Sequence, residues 1–337
     1  MTIRRTNTIE PRWLLVFVFL VSGVFFGGLA TYLYVYKATP PSVRLHFPKG
    51  TYTYINPTIV SEPNIRSNFS SVNNDMQLKI AGMVTEAEKQ GSVTNAAVYF
   101  RDLESSKILA INANTQFSPG KLLKVPIMIA YLKLAEDNPD SLKKMIAIKD
   151  DKVANENVFT VANTSPAGDY TVDQALHAMI TDDSDDAANA LFDTIDKSVL
   201  NEVFSDLGID FTEDKQTKDF ISLRRYSLFL RILYNASYLS NNNSEKALSL
   251  LADATTPSLL EANLPHTVPF ASRVGGRKVT LQGAQGFEVY ECDIVYYPNH
   301  NYLLCVSAES AQLEDIKTFF AKVGDAIYAN MDYQYGA

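Results

Sequence analysis

The stretch Phe117-Ser118-Pro119-Gly120-Lys121-Leu122-Leu123-Lys124-Val125-Pro126 joins a loop to an apolar run and puts a lysine at the junction. Ser-Pro-Gly punctuates the chain, and the run that follows predicts a helix over about 121–136. A cation at a helix start faces the positive end of the helix dipole, which is an unfavourable place for it. Unless strongly desolvated, the Lys121 amine is protonated, and a protonated amine cannot attack a carbonyl. The local chemistry therefore demands a compensating group near Lys121.

Outward from that junction the texture of the chain changes twice. Upstream, Met76, Ile80, Met83, Val84 and Ala87 recur at helical spacing, with Gly91 suited to cap the helix. Two β-rich runs follow, 96–103 and 107–111, joined by a polar turn that reads as a hairpin. Downstream, Thr171-Val172-Asp173-Gln174 is a capping box. Helical patterns follow at 184–195, 197–207, 220–235 and 244–253. The chain then returns to strands near 269–274, 278–282, 287–297 and 302–308, and closes with a helix over about 311–330. Strands at both ends with helices between predict one antiparallel sheet shared by the ends, flanked by helices. An all-helical subdomain, about 121–255, is inserted to one side. The class is α+β rather than a βαβ alternation, and the domain spans 75–332.

The N-terminal region has a different character. Residues 13–36 contain no charged side chain. As a helix rising about 1.5 Å per residue they suffice to cross a hydrocarbon core of about 30 Å. Arg4, Arg5 and Arg12 precede the run and only Lys37 follows closely, which predicts a single transmembrane anchor with residues 1–12 cytoplasmic. The alternative is a signal peptide cleaved near Gly28-Leu29-Ala30. Residues 37–74, with Pro40, Pro41, Pro48, Pro57 and Pro63, read as an extracytoplasmic linker with one short strand near 51–55.

Composition narrows the function classes. The chain has 337 residues, 46% hydrophobic and 20% charged, enough for a packed core. A net charge of -8 argues against a nucleic-acid partner. Two cysteines give neither a disulfide framework nor a zinc pattern; Cys292 and Cys305, on neighbouring strands, either bridge or stay as buried thiols. His46, His177, His266 and His300 show no metal-ligand spacing, and no glycine-rich phosphate loop is present, so no metal or cofactor is expected.

The segment 117–126, the run Ser184-Asp185-Asp186-Ala187-Ala188-Asn189 and the strand tripeptide Arg273-Val274-Gly275 together resemble the class A β-lactamase and penicillin-binding-protein family of serine hydrolases. The resemblance covers about 76–330 and implies a β-lactamase-like fold. In that family a Ser at a helix start is followed three residues later by a Lys, with a Ser-Asp-Asn loop and a Lys-Thr-Gly strand beside them. A serine hydroxyl is a weak nucleophile and needs a base within reach, an oxyanion hole and a cation for the substrate carboxylate. By resemblance Lys124 matches the family's Lys, Lys121 stands in place of the Ser, and Asp186 stands in place of the Asn. Arg273 keeps the strand cation, Val274 lacks the hydroxyl, and Gly275 keeps the close backbone approach. The loop that would carry a deacylating Glu corresponds to 210–216, where Glu213 lacks the pattern.

Two readings follow from the resemblance. In the first, the protein is a catalytically silent member that binds a cell-wall peptide, a β-lactam-like ligand or an envelope protein, with Lys121 and Asp186 as a compensating pair. In the second, it is an active serine hydrolase, a β-lactamase or D,D-peptidase, using Ser118 or Ser184. A vestigial cleft on a scaffold protein is a third. Taken alone, Ser184 before two acids is also an ordinary helix N-cap.

Overall fold

The computed structural model describes residues 52–56, 74–149, 165–211, 219–265, 267–298 and 300–336. The apolar run 13–36, most of the linker, the loop around Glu213, and His46 and His266 lie outside them. Among the described residues no helix is long and apolar enough to cross a membrane.

The chain enters the domain through α1 (Asn74–Lys89), whose Met76, Ile80 and Val84 are buried at helical spacing. Gly91, just past its end, adopts φ +73°, a conformation open to glycine at no steric cost. Strands β1 (Thr94–Asp102) and β2 (Ile108–Ile111) form the expected hairpin. The sheet is completed from the other end of the chain by β7 (Phe270–Leu281), β8 (Ala284–Val295) and β9 (Tyr302–Ser310), in the order β2-β1-β9-β8-β7, all antiparallel. A final helix, α8 (Leu313–Tyr335), returns across the sheet.

The two faces of the sheet serve different cores. One buries Val98, Phe100, Val289, Leu304 and Val306 against α1 and α8. The other buries Tyr99, Tyr290, Cys292 and Cys305 against the helical block. That block contains α2 (Lys124–Asp137), α3 (Val172–Ile180), α4 (Asp185–Thr194), α5 (Lys197–Asp206), α6 (Leu223–Tyr234) and α7 (Asn241–Ala252). Thr171 forms the full capping box with Gln174 at the start of α3.

Several boundaries differ from the sequence expectation. The strands expected at 269–274 and 278–282 are one continuous β7, 12 residues long. Gly275 and Gly276 do not break it, because glycine is needed there for close approach: a Cβ on Gly275 would lie 2.4 Å from the ring of Tyr290. The short strand expected near 51–55 does not form in the described part. The amides of Thr53, Tyr54 and Ile55 instead converge on the carboxylate of Glu245 at 2.5, 2.9 and 3.0 Å, so they are unavailable to a ladder. Two small pairings had no sequence signal: β3 (Gln116–Phe117) with β6 (Ile221–Ser222), and β4 (Met145–Ile148) with β5 (Gly168–Thr171). Cys292 and Cys305, opposite one another on β8 and β9, are bridged, which decides between the two alternatives left by the sequence.

Helix α8 lies against the turn around Leu260 at Gly324, where a Cβ would come within 1.8 Å of the Leu260 carbonyl oxygen. Backbone on both sides leaves nothing flexible to yield. Gly324→Ala is therefore expected to cost about 1–3 kcal/mol in urea unfolding, the usual range for overpacking; an unchanged midpoint would refute this packing.

Candidate functional site: a charged cleft at the start of helix α2

The deciding stretch is held from three directions. Phe117 pairs with Ile221 in the β3–β6 ladder and stacks on Tyr290 with ring centroids 5.1 Å apart. Gly120 turns the chain at φ +47°, and a Cβ there would meet the Tyr290 hydroxyl at 2.4 Å. A 3-10 turn, Gly120–Leu123, then leads into α2, so the α-helix proper begins at Lys124 rather than at Lys121. Pro126 is tolerated because first-turn N–H groups have no intrahelical acceptor. The turn is pinned by Tyr226, whose hydroxyl donates to the Leu122 carbonyl at 3.1 Å.

Lys121 and Lys124 both aim at the turn between α3 and α4. Lys124 Nζ donates to Asp183 Oδ1 at 2.7 Å and to the Asp183 carbonyl at 2.9 Å, and pairs with Asp185 Oδ1 at 2.8 Å. Lys121 Nζ pairs with Asp183 Oδ2 at 3.1 Å and with Asp185 Oδ2 at 3.0 Å. Arg273, reaching from β7, closes on Asp183 Oδ1 at 2.5 Å and donates from Nε to the Lys121 carbonyl at 3.4 Å. Asp183 thus gathers three cations while itself only 3% exposed. It sits at φ +55°, a left-handed conformation that Asp adopts more readily than most residues.

The charges set one another's protonation. Burial works to raise the Asp183 carboxyl, but Arg273, Lys124 and Lys121 outweigh it and hold it well below the usual carboxylate range. Burial, then Arg273, bring Lys124 down to about 8 against the opposing pull of Asp183 and Asp185. Asp185 additionally occupies the first turn of α4, where a carboxylate complements the dipole.

The expected pairing of Lys121 with Asp186 is therefore corrected. Its partners are Asp183 and Asp185, while Asp186 is buried one residue further along α4. Ser184 is the N-cap of α4: its Oγ accepts from the Ala187 amide at 3.2 Å and from Ser165 Oγ at 2.8 Å. The cap geometry turns it inward, so the residues facing the cleft flank it on either side. The plain N-cap reading of Ser184 describes the structure, and the cleft-facing acids Asp183 and Asp185 stand on either side of it.

Above the charges lies a cavity of about 480 Å³ whose lining includes Ser118, Lys121, Lys124, Asp185, Arg277 and Lys278. Arg273, paired with Asp183, is 1% exposed. Val274, next on the strand, is buried and is not among the residues lining the cavity. Gly275 admits the Tyr290 ring. Arg277 is clamped by Glu288 and, at 3.1 Å, by Asp219, whereas Lys278 is exposed. Sequence reasoning missed Asp183, Arg277 and Lys278. The signal for Asp183 was present in the acidic run Asp182-Asp183-Ser184-Asp185-Asp186; Arg277 and Lys278 carried none beyond lying on the same strand as Arg273. Among the described residues no group of His, Cys, Asp and Glu is arranged to hold a metal ion.

A sequence profile of the beta-lactamase enzyme family matches residues 79–331, the whole of this sheet and its helical insertion. The chain belongs to that family. Solved structures share its fold: PBP-A, with TM-score 0.65 at 20% identity over 79% of this chain and 98% of PBP-A; a β-lactamase from Chitinophaga pinensis, 0.64 at 19% over 77% and 99%; and a class A β-lactamase from Mycobacterium abscessus, 0.61 at 18% over 76% and 99%. No curated protein matches the chain. At such identities the likeness speaks for the fold.

Proposed function

We propose that this protein is a catalytically silent, membrane-anchored member of the beta-lactamase family that binds an acidic ligand outside the cytoplasm. One observation supports the reading: Lys121, which by resemblance stands where the family has its Ser, is held between Asp183 and Asp185. An ammonium paired in this way with two carboxylates has no lone pair to attack a carbonyl. Ser184 is committed to capping α4 and offers no alternative. The run 13–36 supports anchoring, and the Cys292–Cys305 bridge fits an oxidising compartment.

The ligand class follows from the mouth of the cavity. Exposed Lys278 beside Arg277 favours a carboxylate-bearing molecule such as a cell-wall peptide or a β-lactam. Calorimetric titration with an acyl-D-Ala-D-Ala peptide should show saturable, salt-sensitive binding, weakened about tenfold in Lys278→Ala, one lost ion contact being of the order of 1.4 kcal/mol. Release of free D-alanine, or identical binding by Lys278→Ala, would overturn the assignment.

A second reading keeps a specific support: Ser118 lines the same cavity as Lys121 and Lys124. In that reading the chain is a serine hydrolase with its hydroxyl displaced by three residues towards the loop.

A further inference from the structure

Away from the cleft, one arginine of the sheet and one of the helix packed on it have no counter-ion among the described residues. Tyr99 and Arg101 alternate onto one face of β1, opposite Cys305 and Leu303 of β9, and α6 packs across that face, bringing Arg231. Arg101 is 7% exposed. Arg231 is half-buried, and its Nε is fully buried and meets no acceptor. Among the described residues neither guanidinium has a carboxylate within ion-pair distance or donates a hydrogen bond, and the Tyr99 hydroxyl, 2% exposed, donates none either. The nearby acids are engaged elsewhere: Glu104 accepts from the Tyr234 hydroxyl at 3.0 Å, and Asp102 from Ser105 and Tyr335.

Buried charges are normally paired. A buried acid cluster can escape that rule by protonation; burial and the neighbouring Asp293 carboxyl push Glu291 well above its usual range. Arginine has no such escape, because its guanidinium keeps its proton. Burial and the Arg101 charge both disfavour the Arg231 cation, and an anion between the two guanidinium groups would offset both. Guanidinium forks match the oxygens of a tetrahedral anion in geometry as well as charge.

We propose that Arg101 and Arg231, with the Tyr99 hydroxyl, form a tetrahedral-oxyanion site, for phosphate or sulfate, at the β1–α6 junction. The bound ion supplies the counter-charge that the fold lacks there and so couples domain stability to oxyanion concentration.

The test is thermal melting of the full chain in sodium phosphate against sodium chloride at matched ionic strength. General salting by phosphate rises without saturating, whereas a site saturates with ligand concentration. A saturable rise that is lost in both Arg101→Met and Arg231→Met but kept in Lys278→Ala supports the site. In chloride alone each Met variant should melt no lower than the natural chain, since it removes one of two repelling charges. A rise that never saturates, or one lost in Lys278→Ala and kept in the arginine variants, overturns the proposal. Phosphorus NMR of phosphate with the natural chain needs no variant: broadening that an excess of sulfate reverses supports the site, and an unchanged line refutes it.

Discussion

Asp183→Asn should cost about 3–5 kcal/mol of unfolding free energy, the range for removing one partner of a buried ion cluster. Lys121, Lys124 and Arg273 all meet on this carboxylate. Without it they face one another across Asp185 alone, which is a third exposed and shared with solvent. Arg273→Met should cost less, because it leaves two lysines balanced by two carboxylates. The double variant should cost less than the sum of the singles. A cycle between Lys121 and Asp183 should accordingly show strong coupling, and one between Lys121 and Asp186 almost none.

The same charges give a pH dependence with a definite sign. The folded Asp183 carboxyl is held below its unfolded value of about 3.9. Its stabilisation is therefore fully present above that value and is lost as pH falls through the acid range. Lys124 behaves differently. Its folded value, about 8, lies below the unfolded value of about 10.4. Between the two the unfolded chain binds more protons, so stability rises with pH over that window. Urea unfolding of the natural chain and Asp183→Asn across pH should show the gap between them closing in acid and persisting at neutrality. A gap independent of pH would contradict the assignment.

Replacing both Cys292 and Cys305 by Ser should cost about 3 kcal/mol, on the chain-entropy estimate for a loop of about 15 residues. The bridge closes a separation of 13 and lies wholly buried. Its effect should reach the cleft, since Cys292 is directly opposite Arg273 in the β7–β8 ladder. The two serines would also bury hydroxyls in an apolar core, so a Cys292→Ala, Cys305→Ala variant separates that cost from the lost cross-link. Reduction of the natural chain should lower its melting point similarly; a melting point indifferent to reductant would show that the bridge carries no stability.

Much of the fold was legible because its signals are local. The buried stripe of α1, the capping box at Thr171 and the hairpin of 96–103 with 107–111 each depend on residues close in sequence. What was not legible depended on partners far away. The amides of 53–55 look strand-like until Glu245 gathers them, and Gly275 looks like a break until Tyr290 crosses it. At the cleft, Lys121, Lys124 and Arg273 were all read as site residues. Their shared acceptor was not, because a string of acids around Ser184 can be placed in more than one register. Only the cap geometry of Ser184 shows which acids face the lysines.

Under the proposed function, an ammonium ion locked by two carboxylates stands where the family has its nucleophile. Incubation of the full chain with penicillin G, followed by intact-mass analysis, tests it most directly. No covalent adduct and no consumption of the penicillin are expected. A stoichiometric adduct mapped to Ser118, or to any other serine, would contradict it.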